Sequence, residues 1–366
     1  MPRLRLIADD LTGTLDTASG FTGLCGPIPV VWSRTVEGGA GCLAFDTGTR
    51  ERAAAEAAGI VAGLTPLLDG ADIAFKKVDS LLRGPWAVEL SALVRAGSWR
   101  RCVVAPAFPA QGRATVDGRQ LARREGGWEP VSGDIAGALR EAGLPARRAA
   151  VADGPVADVA VYDAREDADL DAVAGLSRDG PVLWCGSGGL AAALARPALP
   201  PRDARLAPPV LGLFGSDRPE TEAQLAACAR YRLVLPHVGA DCAARIADRL
   251  AADGAVLASL CLPAGTAREA AATRIARSFA GVVAGVPRPG TLLVAGGETL
   301  KALCLALGAQ RLDVSGEIGP GLPRSTLRGG RWDGLPVVSK SGAFGGADVW
   351  RDLLRDNGFP SIRSGA

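Results

Sequence analysis

Along the chain, short apolar runs alternate with longer Ala-rich stretches whose apolar residues recur at helical spacing. Runs at 4–8, 29–33, 42–46, 71–80, 101–105, 158–163 and 180–185 are too short for helices. They break off into polar residues, which suits buried strands. Between them, 51–64, 86–97, 167–176 and 190–195 read as helices, and another begins within 16–21. The second half repeats the pattern, with strands at 210–214, 233–236, 255–261, 291–295 and from 336. Its helices are expected after 215, over 241–252, 267–284 and 300–307, and from 348. Residues 120–148 are polar and Gly-interrupted, an excursion from the sheet that should contain a helix. The alternation predicts an α/β fold: two domains, each a mostly parallel sheet flanked by helices, with a cleft between them.

The 366 residues exceed one typical core. Residues 196–209, RPALPPRDARLAPP, hold five prolines and no apolar period, so they read as the linker. The expected domains are therefore 1–200 and 209–366. A hydrophobic fraction of 48% and a net charge of +2 argue against disorder and against coating a nucleic acid. No apolar run reaches the length of a membrane span, and the acids within 6–18 do not suit a signal peptide. A cytoplasmic protein with no membrane or nucleic-acid partner is expected. The eight cysteines contain no C-x-x-C pair and stand beside one histidine, His237, so zinc-ligand spacing is absent. Any Ser-His or Cys-His nucleophile would depend on His237 alone, a residue expected at a surface or sheet edge.

Chemistry gathers at the strand ends. The first run delivers Asp9 and Asp10 before the small turn Thr12-Gly13-Thr14. One of the two is expected to cap the following helix, and one helix needs only one such cap. The third run ends at Asp46 with Arg50 close behind. The fourth carries Lys76, Lys77, Asp79, Ser80 and Arg83, and the loop after the fifth ends in Arg113. In open α/β sheets ligands sit beyond the carboxyl ends of strands. If these strands are neighbours, their ends make a site for a small anionic, hydroxylated molecule, with Arg83 and Arg113 suited to a carboxylate. Singly, each arginine would read as a surface ion pair. Of 41 basic residues only Lys76, Lys77, Lys301 and Lys340 are lysines, in a chain that otherwise uses arginine. Lys301, in a helical stretch, reads as incidental; the other three are candidates for a compact ammonium.

Gly-rich turns follow three later runs. Gly186-Ser187-Gly188-Gly189 reads equally as an anion site or as a tight turn. Gly296-Gly297-Glu298-Thr299 and the stretch Lys340-Ser341-Gly342 to Gly345-Gly346 each join a strand to a helix, where amides can approach a phosphate. Neither matches G-x-x-x-x-G-K-[ST] or G-x-G-x-x-G.

Taken together and in order, DDLTGTLD from Asp9, KKVDSLLRG from Lys76, PAFPAQGR from Pro106, GGET from Gly296 and KSGAFGG from Lys340 resemble the four-carbon acid sugar kinase family. The spacing of Ser216, Thr221 and Gln224 is similar too, and the resemblance runs nearly end to end. It implies a two-domain cytoplasmic kinase with a tetronate-type acid sugar on the N-terminal domain and ATP on the C-terminal one. The family phosphorylates the terminal hydroxyl of acids such as threonate, erythronate or 3-oxo-tetronate. Carried over by residue, Asp9, Asp10, Asp46, Arg50, Lys76, Lys77, Ser80, Arg83 and Arg113 fall on the acid-sugar side. Ser216, Gly296, Gly297, Glu298, Thr299, Lys340, Gly342 and Gly345 fall on the ATP side. Where the family has Ser-Thr, this chain has Ser80-Leu81.

For this reaction Asp10 is expected as the base, with Lys77 beside it. Asp9 orients its neighbours or helps to hold Mg²⁺, because adjacent side chains on a strand point to opposite faces. Homodimerisation is left open. The alternative is an acid-sugar-binding or regulatory protein on the same fold, a reading that rests on Leu81. A nicotinamide-dependent dehydrogenase is disfavoured by the missing G-x-G-x-x-G.

Overall fold

The computed structural model describes residues 1–33, 41–154, 156, 158–176, 179–196, 198–216, 218–235, 241–261 and 268–360. His237 lies outside them. The chain divides into two compact units, Met1–Pro200 and Pro201–Ala366.

In the first unit, β1 (Leu4–Ala8), β2 (Ile28–Val31), β3 (Leu43–Asp46), β4 (Ile73–Lys77), β5 (Arg101–Ala105), β9 (Ala146–Ala149), β10 (Asp158–Tyr162) and β11 (Val182–Gly186) form one sheet. Their order is β2-β3-β1-β4-β11-β5-β10-β9, and every pairing is parallel. β1, β3, β4, β5 and β11 are buried along their whole lengths, which is why they read as mostly apolar runs in spite of Arg5, Asp46, Lys76, Lys77 and Arg101. On one face α1 (Leu11–Cys25) packs with α6 (Gly188–Ala195), and α6 with α5 (Asp167–Ala174). On the other, α3 (Trp86–Ala96) packs with α2 (Ala54–Ala62) and α4 (Ile135–Glu141), burying Leu90, Leu93 and Leu139 against Val104 and Ile135. The helix after β1 thus lies on the opposite face from those after β3 and β4. That makes the end of β1 a topological switch point, where such sheets open a crevice.

Two expectations are corrected here. The excursion at 120–148 does hold a helix, α4, but a separate antiparallel sheet precedes it: β6 (Arg113–Val116), β7 (Arg119–Arg124) and β8 (Gly127–Asp134). The first helix begins at Leu11, not within 16–21, because Asp10 caps it: its side chain accepts a hydrogen bond from the Gly13 amide.

The second unit orders its strands β13-β14-β12-β15-β18-β17-β16. β12 (Val210–Phe214), β13 (Arg232–Leu235), β14 (Ala255–Leu260), β15 (Thr291–Ala295) and β18 (Pro336–Lys340) are parallel. β16 (Arg311–Gly319) and β17 (Leu322–Arg328), a hairpin unforeseen in the sequence, complete the sheet antiparallel. α7 (Pro219–Ala227) packs with α11 (Val349–Asp356), whereas α9 (Arg268–Gly285) packs with α8 (Asp241–Asp253) and α10 (Gly297–Ala306). β12 and β15 are neighbours whose following helices, α7 and α10, fall in different helix layers. This is the second unit's switch point.

Candidate active site

Three loops meet over the end of β1. The turn after β3 folds across it: the amides of Thr47 and Thr49 donate to the carbonyls of Ala8 (2.9 Å) and Asp9 (3.0 Å). Asp46 shapes that turn by accepting from the Gly48 amide at 3.0 Å, with its own side chain buried. The turn sets Arg50 against the two acids. Its guanidinium grips Asp9 through two bonds, Nε to Oδ2 at 2.8 Å and Nη2 to Oδ1 at 2.9 Å. Nη2 also reaches Asp10 Oδ1 at 2.8 Å and lies 3.7 Å from Asp79. Burial pushes the Asp9 carboxyl up, but Arg50, with Lys76 and Lys77, more than offsets that and holds it below the usual carboxylate range. Three carboxylates around one guanidinium raise the pKa of Arg50 despite its burial.

Asp9 is 3% exposed, so the expectation that it helps to hold Mg²⁺ meets a physical obstacle. A guanidinium already occupies both of its oxygens. Among the described residues no group of three or more acidic, His or Cys side chains could cage a metal. The residues present do not fit a protein-held ion there.

Asp10 is more open, its side chain 20% exposed. Besides Arg50, it is oriented by the Gly13 amide on Oδ1 (3.0 Å) and the Thr12 hydroxyl on Oδ2 (2.7 Å). Residue 13 has to be glycine for this. A Cβ there would sit 2.4 Å from Asp10 Oδ1 and 3.2 Å from Lys77 Nζ. The same distances bring the Lys77 ammonium to the start of α1. Lys77 is buried, and no hydrogen bond or ion pair engages it among the described residues.

Lys76 does not join this group. Strand alternation turns it to the other face, where it is fully buried 2.7 Å from Glu89 of α3. The pair is in ionic contact, although Lys76 Nζ and Glu89 Oε1 find no well-angled hydrogen bond. Lys76 is a core ion pair, a correction to its placement on the acid-sugar side.

Beyond β4 the chain turns around Asp79, which accepts from the Leu81 amide (3.0 Å) and from Arg83 Nε (2.9 Å) and Nη2 (2.6 Å). Burial pushes the Asp79 carboxyl up, but Arg83, with Arg50 and Lys77, holds it well below the usual carboxylate range. Leu81 thus serves the turn through its backbone. Arg83, half-exposed, meets a carboxylate of its own chain. Arg113 donates to the carbonyls of Gln111 and Gly112, at 2.8 and 3.0 Å. Buried Gln120 ties the two loops together by donating to Ser80 O (2.8 Å) and Pro106 O (3.1 Å). Asp79 and Gln120 were not singled out as site residues. An Asp and an Arg four apart, Asp79 and Arg83, were the available signal; nothing in the sequence marks Gln120.

The Gly186–Gly189 turn is decided by packing. Ser187 caps α6 and donates to Ala107 O at 2.7 Å, and residues 186–190 are all buried. It is a tight turn with no room for an anion.

In the second unit the ends of β12, β15 and β18 lie side by side. α10 starts at Gly297 with Gly296 as its N-cap, a residue with no side chain to cap the first turn. Gly296 (φ 110°) donates to Lys340 O at 3.1 Å, linking this turn to the β18 loop. Thr299 is buried and Glu298 exposed. Ser216 packs onto Gly342, where a Cβ would lie 1.9 Å from the serine Oγ. Lys340, 1% exposed, donates to the carbonyls of Ser341 (2.8 Å) and Gly342 (3.1 Å), and burial lowers its pKa to about 8. Its ammonium is spent on its own loop, which corrects the expectation of a lysine reaching for phosphate.

Comparison with known proteins matches residues 4–134 to a "sugar-binding N-terminal domain" and residues 211–349 to a "nucleotide-binding C-terminal domain". The chain is 32% identical to a D-threonate kinase of Bordetella bronchiseptica, over 95% of this chain and 96% of the relative. It is 33% identical to a D-threonate kinase of Cupriavidus necator, over 94% and 96%. A solved structure from Salmonella typhimurium superposes with a TM-score of 0.74 at 20% identity, covering 97% of this chain and 100% of the other. At that identity the likeness concerns the fold alone.

Proposed function

This chain belongs to the tetronate kinase family, and from that premise we propose that it transfers the γ-phosphoryl group of ATP to the terminal hydroxyl of a four-carbon acid sugar. The first unit holds the acid and the second the nucleotide, which is supplied as its Mg²⁺ salt. The observation that carries this reading is at the end of β1. There the partly open, firmly oriented carboxylate of Asp10 stands beside Lys77, an ammonium in no hydrogen bond or ion pair among the described residues.

Phosphoryl transfer asks little covalent chemistry of a protein; it needs an aligned acceptor and compensation of charge. Asp10 takes the proton of the substrate hydroxyl as its oxygen bonds to the γ-phosphorus and the bond to the bridging oxygen of ADP breaks. Lys77 offsets charge on the group in transit. Arg83 is half-exposed and bonds Asp79 through Nε and Nη2 only, so the rest of its guanidinium can be shared with a substrate carboxylate. Arg113 lies on the adjoining loop. Arg50 is a positioning residue that keeps both aspartates in place.

The test is Asp10→Asn. Asn also caps helices, so the fold should survive. Loss of a positioned base should lower kcat roughly 10²- to 10⁴-fold with both substrates still binding. Near-normal kcat in this variant would remove Asp10 from the role.

A further inference from the structure

We infer that Thr221, Gln224 and Lys340 are positioning residues for nucleotide phosphate: buried beneath the loop after β18, they draw its carbonyls inward and so turn its amides outward as an anion cradle. The inference rests on the nucleotide-binding reading of the second unit and assigns how that unit is built for the task.

All three side chains are at most 1% exposed, too deep to touch a ligand at the loop surface. Each spends its donors on loop carbonyls. Thr221 Oγ1 donates to Gly342 O at 3.0 Å, and Lys340 Nζ to Ser341 O and Gly342 O at 2.8 and 3.1 Å. Gln224 Nε2 lies 2.9, 3.0 and 3.1 Å from the carbonyls of Phe344, Gly345 and Gly346, sharing two hydrogens among three acceptors. Its Oε1 is buried without a partner. Flipping the amide would satisfy nothing, since Oε1 would then face three carbonyl oxygens.

Across a trans peptide the N–H points opposite to the preceding C=O. Anchoring the carbonyls of Ser341, Gly342, Phe344, Gly345 and Gly346 on one side therefore turns the amides of Gly342, Ala343, Gly345, Gly346 and Ala347 to the other, Gly342 itself being buried against Ser216. None of these five amides has an acceptor among the described residues. Residues 343 and 345–347 are exposed, and Gly345 at φ +80° adopts a conformation that side chains disfavour. Successive outward amides in a loop make a concavity for anions. Gly296, the N-cap of α10, is bonded to Lys340 O at the base of this loop, so the start of that helix adjoins it.

The test measures binding of ADP and of adenosine to the full chain by calorimetry, for the wild type and for Thr221→Val, Thr221→Ser, Gln224→Met and Lys340→Met. Losing a buried donor should raise the Kd for ADP roughly tenfold or more in the Val and both Met variants. Adenosine should bind each of them as it binds the wild type, and Thr221→Ser, which keeps the hydroxyl, should retain ADP affinity. A general structural defect would weaken both ligands alike and would overturn the assignment. So would a loss confined to Lys340→Met, which would make that lysine a direct phosphate ligand. Hydrogen exchange of the wild type gives a reading that needs no variant: ADP should slow exchange at 342–347, and unchanged exchange there on ADP binding would overturn the cradle. A wild type that binds adenosine but gains nothing from the phosphates of ADP would also overturn it. Failure to bind either ligand would instead remove the nucleotide reading itself.

Discussion

Asp9 and Asp10 are adjacent and chemically identical, yet their surroundings separate them. Strand alternation is not what separates them, since β1 ends at Ala8 and Arg50 Nη2 bonds both carboxylates; Asp9 is buried, whereas Asp10 caps α1 and stays partly open. What the sequence could not show is that Arg50, 41 positions away, serves both, because that contact exists only after the 47–50 turn folds over β1. The arrangement has a pH signature. Asp9 is depressed in the folded state, so its stabilising contribution is complete above the unfolded carboxylate value of about 4 and is lost as pH falls through the folded value. Arg50→Gln should destabilise the protein at neutral pH by about 3–5 kcal/mol, the cost of leaving a buried charge unpaired. Asp9→Asn/Arg50→Gln should recover much of this and flatten the acid limb of unfolding free energy against pH. An unchanged acid limb in the double variant would show that Asp9 does not carry it. Arg83 offers a second check at this scale. Arg83→Lys keeps the charge but loses the two-pronged geometry, so KM for the acid should rise roughly tenfold; a change confined to kcat would place Arg83 on the transferring phosphate instead.

Elements were legible where burial is uniform. β5, β12 and β15 fall where their apolar runs stand because both faces of a parallel strand are covered. The β6–β8 sheet is hidden in the sequence because β7 carries three arginines and β8 is polar, Gly- and Pro-containing and largely exposed, so neither shows an apolar run. The start of α1 escaped because Gly13 and two threonines are weak helix formers, and capping by Asp10 decides it. Lys76 illustrates a different limit. Two adjacent lysines at a strand end looked like one cationic patch, but the period of the strand sends one of them into the core against α3. Lys76→Met alone should cost about 3–5 kcal/mol by stranding Glu89, and Lys76→Met/Glu89→Leu should restore much of it. Because the pair lies on the face away from α1, the double variant should keep the wild-type KM for the acid. A raised KM in a stably folded double variant would return Lys76 to the binding site.

For the molecule as a whole, no helix among the described residues is long and apolar enough to cross a membrane, and each of the two units carries its candidate residues at its own switch point. The general location of both groups could be read from strand ends alone. Their division of labour could not, because buried donors such as Gln120, Thr221 and Gln224 act through backbone carbonyls that no sequence pattern reveals. Phosphate transfer to the far end of a four-carbon acid can be read from ADP release from Mg-ATP with a panel of tetronates, the product's phosphorus position being assigned by NMR. Transfer as proposed makes release depend on the acid and leaves a phosphate monoester on the terminal carbon. Binding of an acid with no acid-dependent ADP release, or phosphate appearing on another oxygen, would contradict it.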